Sequence, residues 1–141
     1  MNSKDLAMDL INFIDASPCA FFAVKAIEEE LNKNDYKELK EEDKWDLDLG
    51  GKYFVKKNDS AILAFDLPKT KEDLAFKIIA SHSDSPCFRI KPAADIYQNG
   101  YHKLNTEVYG GAILHTWFDR ALSIAGRVYT KNEKDALHPH M

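Results

Sequence analysis

The residues best suited to chemistry lie in the segment 78–86, where His82 is followed two residues later by Asp84. In a turn, this spacing lets the Asp84 carboxylate reach one ring nitrogen of His82 while the other nitrogen faces outward. A carboxylate that holds a histidine in this way is the usual neighbour of a zinc ligand. On its own the pattern is weak evidence, because a histidine and an aspartate bonded to each other in a loop need have no function.

The apolar residues before His82 predict the element that carries it. Phe76, Ile78, Ile79 and Ala80 are dense enough for a buried strand. His82 would then lie at or just past the carboxyl end of that strand. In open α/β sheets, ligands and catalytic groups collect at this edge.

The other elements follow from periodicity. Leu6, Leu10, Phe13 and Ile14 predict an amphipathic helix with one buried stripe, and Pro18 ends it. Ser17 is expected to cap a second helix. That helix buries a second apolar stripe and ends at residues 32–35; the stripe is Ala20, Val24, Ile27 and Leu31. A helical hairpin packed on a sheet is the expected result.

Several strands are predicted further along the chain. Residues 52–57 and 60–67 form two of them, joined by a two-residue hairpin turn at Asn58 and Asp59. A further strand covers residues 87–91 and closes at Pro92, and residues 93–105 are expected to be irregular. A second hairpin is predicted within residues 106–128, turning near Asp119 and Arg120, and the tail from Lys131 is polar.

Composition excludes several classes of partner. The chain has 141 residues, 45% of them hydrophobic, and a net charge of −4, so nothing suggests nucleic acid or a polybasic membrane contact. No apolar run approaches the roughly 20 residues that a membrane helix needs, and the N-terminus does not resemble a signal peptide. Cys19 and Cys87 stand alone, which favours reduced thiols in a cytoplasmic protein.

The remaining histidines give little indication of a metal site. His102 and His115 have no carboxylate at the His82–Asp84 spacing, and His138 and His140 lie in the tail. Catalytic zinc needs about three protein ligands. No His, Asp or Glu elsewhere in the chain stands out as a partner for His82.

Four blocks of sequence add a different kind of information. They are SHSDSPCFRIKP (81–92); NFIDASP (12–18) with FFAV (21–24); Trp45 with GKYFV (51–55), Asn58 and SAILAF (60–65); and EVYGG (107–111) with TWFDR (116–120) and AGRV (125–128). In this order they resemble the aspartyl aminopeptidase family of zinc exopeptidases over nearly the whole chain.

The resemblance implies a zinc-dependent hydrolase that removes N-terminal residues, typically aspartate or glutamate, from peptides. His82 matches a metal-ligating histidine of the family, and Asp84 matches the aspartate that orients that histidine. In such enzymes two zinc ions share a bridging carboxylate and a bridging water, and a glutamate acts as general base. A single imidazole does not distinguish zinc from cobalt or manganese.

The resemblance also implies an architecture. Residues 1–92 would be the first part of an α/β catalytic domain, a helical hairpin on a mixed β-sheet. Residues 93–141 would begin an inserted, β-rich dimerisation domain, and family members assemble into homo-oligomers, commonly dodecamers.

The chain resembles only about the first third of family members, so the remaining ligands and the general base are expected beyond Met141. Residues 135–141 do not resemble the family. We expect the 141-residue polypeptide alone to be inactive and to fold poorly. The alternative is a truncated assembly module of the same fold without catalytic function.

Overall fold

The computed structural model describes residues 2–72, 75–133 and 136–141. Two helices come first in the chain, and strands and one short 3-10 helix follow. In chain order the described elements are α1 (Ser3–Ala16), α2 (Ala20–Lys33), β1 (Lys37–Leu39), β2 (Lys52–Lys57), β3 (Ala61–Asp66), β4 (Cys87–Gln98), β5 (Tyr101–Tyr109), the 3-10 helix (Leu114–Trp117), β6 (Val128–Lys131) and β7 (Leu137–His140).

Helix α1 begins at a capping box. The Asn2 side chain accepts a hydrogen bond from the backbone N–H of Asp5 at 2.9 Å, and the Asp5 carboxylate accepts one from the N–H of Asn2. The predicted buried stripe is not buried, since Leu6, Leu10 and Ile14 are each 59% exposed. In the described residues α1 contacts α2 along part of its surface only, and this contact leaves the apolar stripe open to solvent.

Helix α2 starts later than predicted, and Ser17 does not cap it. Ser17 instead ends α1, where its backbone N–H donates to the carbonyl of Ile14 at 3.0 Å. Cys19 occupies the N-cap position of α2 without a side-chain hydrogen bond. The buried residues of α2 are Ala23 and Val24, so the predicted stripe is confirmed in part.

The sheet of this region is mixed. Its strand order is β1-β2-β3, with β1 parallel to β2 and β2 antiparallel to β3. Tyr53 and Phe54 of β2 are buried, and α2 contacts β3. A helical hairpin on a mixed sheet was the predicted fold class, and it is confirmed. Strand β1 was not predicted, because three residues in a charged stretch are too few to show the alternation of apolar and polar residues that marks a strand.

The β2–β3 turn lies where it was predicted, with one more residue. Asn58 and Asp59 both adopt left-handed backbone conformations, with φ of 52° and 54°. The N–H of Ser60 donates to the carbonyl of Lys57 at 3.1 Å. Lys57 pairs with Ala61, so the connection contains three residues and not two.

Residues 85–124 form a compact unit of their own. Strand β4 begins at Cys87 as predicted but does not close at Pro92; a register shift between Ile90 and Asp95 carries it past the proline. The irregular structure expected for residues 93–105 is therefore wrong, because most of them pair in the β4–β5 hairpin. Asn99 and Gly100, both with positive φ, form the tip of this hairpin.

The hairpin expected near Asp119 and Arg120 is absent from the described residues. The 3-10 helix follows β5, and its Trp117 packs edge-on against Phe88 with ring centroids 5.1 Å apart. Arg120 donates to the carbonyl of Thr116 at 3.5 Å.

The second compact unit consists of residues 1–84 and 125–141. The tail that was predicted only as polar contributes β7, which pairs antiparallel with β6. The predicted domains, 1–92 and 93–141, concern the architecture of the family and stay a prediction. In the described ranges, none of the helices has the length and apolar character needed to cross a membrane.

Candidate metal-ligand site

The segment that carries His82 is not a strand. Residues 75–80 have no regular secondary structure, and Phe76, Ile78 and Ile79 are 81%, 83% and 100% exposed. The predicted strand is therefore wrong for this chain. An apolar run becomes a strand only when neighbouring strands satisfy its backbone N–H and C=O groups, and no described strand pairs with it.

The structure brings His82 and Asp84 together. Nδ1 of His82 lies 2.7 Å from the backbone carbonyl oxygen of Asp84 and 3.2 Å from its carboxylate oxygen Oδ1. A carbonyl oxygen can only accept a hydrogen bond, so Nδ1 carries the proton in this arrangement. In the neutral imidazole the lone pair is then on Nε2, the nitrogen that does not face Asp84.

His82 thus presents one nitrogen donor, Nε2, through which a histidine can bind a metal. Its side chain is 77% exposed, and the nitrogen with the lone pair is not engaged by Asp84. The donor set nevertheless falls short of a complete site. Over the ranges that the structure describes, no group of three or more His, Cys, Asp or Glu side chains is placed to hold a metal ion.

A third residue holds the loop in place. The hydroxyl of Ser83, between His82 and Asp84, donates to the backbone carbonyl of Ser60 at 2.7 Å, and this contact is partly buried. Ser60 follows the left-handed turn at Asn58 and Asp59. Sequence reasoning missed Ser83, because a serine among several serines gives no signal of its own.

Arg127 braces the same turn. Its Nη1 donates to the carbonyl of Asn58 at 3.0 Å and to the carboxylate of Asp59 at 3.2 Å. The guanidinium also lies 4.4 Å from the ring centroid of Phe21, on α2. The turn that receives the Ser83 hydrogen bond is thus tied to the helical layer by a side chain 69 positions away from Asn58.

His102 has a carboxylate partner that the sequence did not reveal. Its Nε2 lies 2.7 Å from Oδ1 of Asp95, and its ring stacks on Tyr97 with centroids 4.4 Å apart. The partners are seven residues apart, and the β4–β5 pairing brings them together. In the tail, His138 and His140 contact Asn132 and Thr130, respectively.

A cluster of charges joins α2 to the sheet. Lys56 lies 2.7 Å from Glu28 and 3.5 Å from Glu38, which also lies 2.9 Å from Lys40. The hydrogen bond from Lys40 and the charges of the two lysines lower the pKa of Glu38 against the effect of burial. Burial lowers the pKa of Lys56, but the hydrogen bond and charge of Glu28, with the charge of Glu38, outweigh it and raise that pKa.

Comparison with known protein families identifies the family to which the chain belongs. The model of the aminopeptidase I zinc metalloprotease family, M18, matches residues 13–140. The chain belongs to the M18 family. Its resemblance to aspartyl aminopeptidases, noted from four sequence blocks, is therefore confirmed. The expectation that residues 135–141 do not resemble the family is wrong, because the match extends to residue 140.

The M18 relatives are longer than this chain. It is 54% identical over 140 residues to a "Probable M18 family aminopeptidase 2" of Clostridium acetobutylicum, covering 98% of this chain and 32% of the relative. It is 42% identical over 127 residues to a "Probable aspartyl aminopeptidase" of Ricinus communis, covering 89% of this chain and 26% of that protein. The chain thus spans about a third or less of the relatives that it matches.

Solved M18 structures share the fold. The cryo-EM structure of the Ape4 and Nbr1 complex matches with a TM-score of 0.92 and 39% identity, over 97% of this chain and 27% of that one. The S. cerevisiae mApe1 dodecamer matches with a TM-score of 0.83 and 28% identity, over 99% of this chain and 33% of that one. The arrangement of helices and strands described above is therefore the fold of the corresponding part of these proteins.

Proposed function

We propose that the chain is the N-terminal portion of a zinc aminopeptidase that removes N-terminal aspartate or glutamate from peptides. His82 is its contribution to the metal site, and Asp84 orients His82. The observation that carries the proposal is the contact of Nδ1 with Asp84, which leaves the lone pair of Nε2 for a metal. Membership of a zinc metalloprotease family supports zinc as that metal.

The described residues account for one ligand, so no catalytic step is assigned to them alone. In a complete site zinc supplies a Lewis acid for the scissile carbonyl and lowers the pKa of a bound water. We expect two zinc ions in each subunit of the whole protein, with the ligands other than His82 and the general base in the part of an M18 chain that lies outside the match. The acidic specificity rests on the name of the Ricinus communis relative.

The proposal extends to assembly and location. A dodecameric M18 structure supports a homo-oligomer built from dimers for the whole protein. Residues 93–141 would contribute the start of its dimerisation domain. The two cysteines are free thiols, which fits a cytoplasmic location.

A chimera tests the function directly. In it, this chain replaces the matched 140 residues of the Clostridium acetobutylicum relative. We expect the chimera to bind zinc and to release aspartate from a chromogenic aspartyl substrate, while residues 1–141 alone do neither. His82→Ala should abolish zinc binding at one site and reduce activity at least about 100-fold, since it removes a metal ligand.

His102→Ala is the matched control. His102 is also an exposed histidine with an aspartate oxygen 2.7 Å from one ring nitrogen, but it lies in the other compact unit. It should leave zinc content and activity unchanged. Equal losses in the two variants would refute the role of His82.

The alternative is an assembly module that carries out no chemistry. The lack of a three-ligand group in the described residues favours it. It predicts that the chimera assembles into oligomers but contains no stoichiometric zinc. Metal analysis of the purified oligomer separates the two functions.

A further inference from the structure

The loop that bears His82 has no regular secondary structure to fix it. Residues 80–86 form neither helix nor strand, and the His82 side chain is largely exposed. A metal ligand must nevertheless be held close to one orientation, because a mobile imidazole pays rotamer entropy each time it binds. Something other than the backbone pattern has to hold this one.

Two hydrogen bonds could do so, and they act at different levels. The contact between Nδ1 and Asp84 fixes the imidazole relative to its own loop. The hydrogen bond from the Ser83 hydroxyl to the carbonyl of Ser60 fixes the loop relative to the β2–β3 hairpin. The first bond thus orients the ring within its loop, and the second links that loop to the hairpin.

The carbonyl that accepts this hydrogen bond lies next to a turn with contacts of its own. The carbonyl of Ser60 follows two consecutive left-handed residues, and Arg127 holds that turn through Asn58 and Asp59. The Arg127 side chain is only 17% exposed and lies against Phe21. The Ser83 hydroxyl therefore binds to a turn that Arg127 connects to α2.

We propose that Ser83 is a positioning residue for His82: its hydroxyl ties the ligand-bearing loop to the 58–60 turn. The inference rests on the proposed role of His82 as a metal ligand. Ser83 would act through His82 and is not proposed as a ligand itself. A hydroxyl is required at this position, so threonine should replace serine and alanine should not.

The first test uses the 141-residue chain without metal and measures the three-bond couplings between Hα and Hβ of His82. A single staggered rotamer gives either one large and one small coupling or two small ones, and rotamer averaging gives two intermediate values. We expect single-rotamer couplings in the unsubstituted chain and in Ser83→Thr, and intermediate, averaged couplings in Ser83→Ala. Ser81→Ala is the control, since Ser81 is an exposed neighbour in the same loop.

Amide signals of β2 and β3, recorded on the same samples, separate positioning from folding. Averaged couplings with unchanged strand signals in Ser83→Ala support the proposal. Unchanged couplings, or averaged couplings that Ser83→Thr fails to restore, overturn it. Loss of the strand signals in Ser83→Ala would also overturn it, because Ser83 would then serve the fold and not His82.

The second test measures zinc affinity in the chimera by competition with a chelator. Ser83→Ala should weaken zinc binding about 10-fold, the lower end of what outer partners of a ligand contribute, and Ser83→Thr should restore it. A wild-type affinity in Ser83→Ala would overturn the proposal. If His82→Ala also binds zinc normally, the proposed function has failed; the metal-free couplings still decide whether Ser83 orders His82.

Discussion

At the scale of single residues, Asp84 holds His82 in two ways. Its backbone carbonyl is the nearer acceptor for Nδ1, at 2.7 Å, and its carboxylate is the farther one, at 3.2 Å. The sequence suggested only the carboxylate, because a pattern of residue types says nothing about main-chain acceptors. A substitution of the side chain therefore removes one of the two contacts and leaves the shorter one.

This division predicts different outcomes for two substitutions in the chimera. Asp84→Asn should weaken zinc binding about 10-fold, because the main-chain carbonyl still fixes the tautomer and the ring. His82→Ala should remove the ligand entirely. Chelator competition measures both, with Asp95→Asn beside His102 as the control; equal losses for Asp84→Asn and His82→Ala would contradict the prediction.

At the scale of elements, the β2–β3 hairpin supports the loop, and its turn contains two consecutive left-handed residues, Asn58 and Asp59. Asn58 adopts a φ of 52°, a conformation that costs most residues about 1–2 kcal/mol but is tolerated by asparagine and glycine. Its carbonyl accepts from Arg127 whatever the side chain is. Substitutions at Asn58 therefore test the conformation alone.

We expect Asn58→Ala to lower the free energy of unfolding by about 1 kcal/mol and Asn58→Gly to lower it by much less. Urea unfolding followed by the fluorescence of Trp45 measures this change, since Trp45 stacks on Phe65 of β3 with centroids 6.3 Å apart. Equal losses for the two variants would show that the asparagine side chain, and not φ, matters at this position.

The charge cluster between α2 and the sheet predicts a pH dependence. The pKa of Glu38 is lower in the folded chain than in the unfolded one, so ionised Glu38 stabilises the fold. That contribution is present above the unfolded pKa of about 4.3 and is lost as the pH falls through the lower, folded pKa. The pKa of Lys56 is raised in the folded chain, so charged Lys56 also stabilises the fold. That contribution is present below the unfolded pKa of lysine and is lost as the pH rises through the folded pKa.

Glu38→Gln should therefore reduce the steepness with which stability falls below about pH 4.3. Its effect on melting temperature should be largest near neutral pH and vanish in acid. Thermal unfolding from pH 3 to pH 7 measures this difference, and Glu29→Gln, on the exposed face of α2, is the control. A Glu38→Gln curve parallel to that of the unsubstituted chain would contradict it.

The elements that sequence could predict are those that form from local pattern. Periodicity located α1 and α2, and alternation with an Asn-Asp turn located β2 and β3. Prediction failed for segments whose structure depends on pairing with another strand. Strand β4 crosses Pro92 because β5 pairs with it on both sides of the register shift, and the apolar run before His82 is no strand because no described strand lies beside it. The site shows the same division: the His82–Asp84 contact is local and was foreseen, while the Ser83–Ser60 contact spans 23 residues and was not.

At the scale of the whole molecule, many large apolar side chains of the described residues are exposed. The buried hydrophobic residues of the described ranges are few: Ala23, Val24, Tyr53, Phe54 and Ala94. The apolar face of α1 and the run before His82 are open to solvent, and such patches promote association. The same segments align with M18 structures about three times as long, at a TM-score of 0.83 to a chain of which this one covers 33%. In a longer chain, additional strands and helices can cover them.

Substituting the exposed run should therefore have opposite effects in two settings. In the isolated chain, Ile78→Lys combined with Ile79→Lys should reduce self-association severalfold, because it breaks an exposed patch. In the chimera the same pair should lower the yield of folded protein, because lysines would be buried in a sheet without partners. Light scattering measures the first effect and size-exclusion chromatography the second.

Ile113→Lys is the matched control, since Ile113 is 65% exposed but lies in the other compact unit. It should change neither measurement as strongly as the double substitution. If the double variant folded normally in the chimera, the run before His82 would be a surface segment in the longer protein as well. The Ser83 contact would then account for a larger share of what positions the loop, and Ser83→Ala would weaken zinc binding in the chimera by more than about 10-fold.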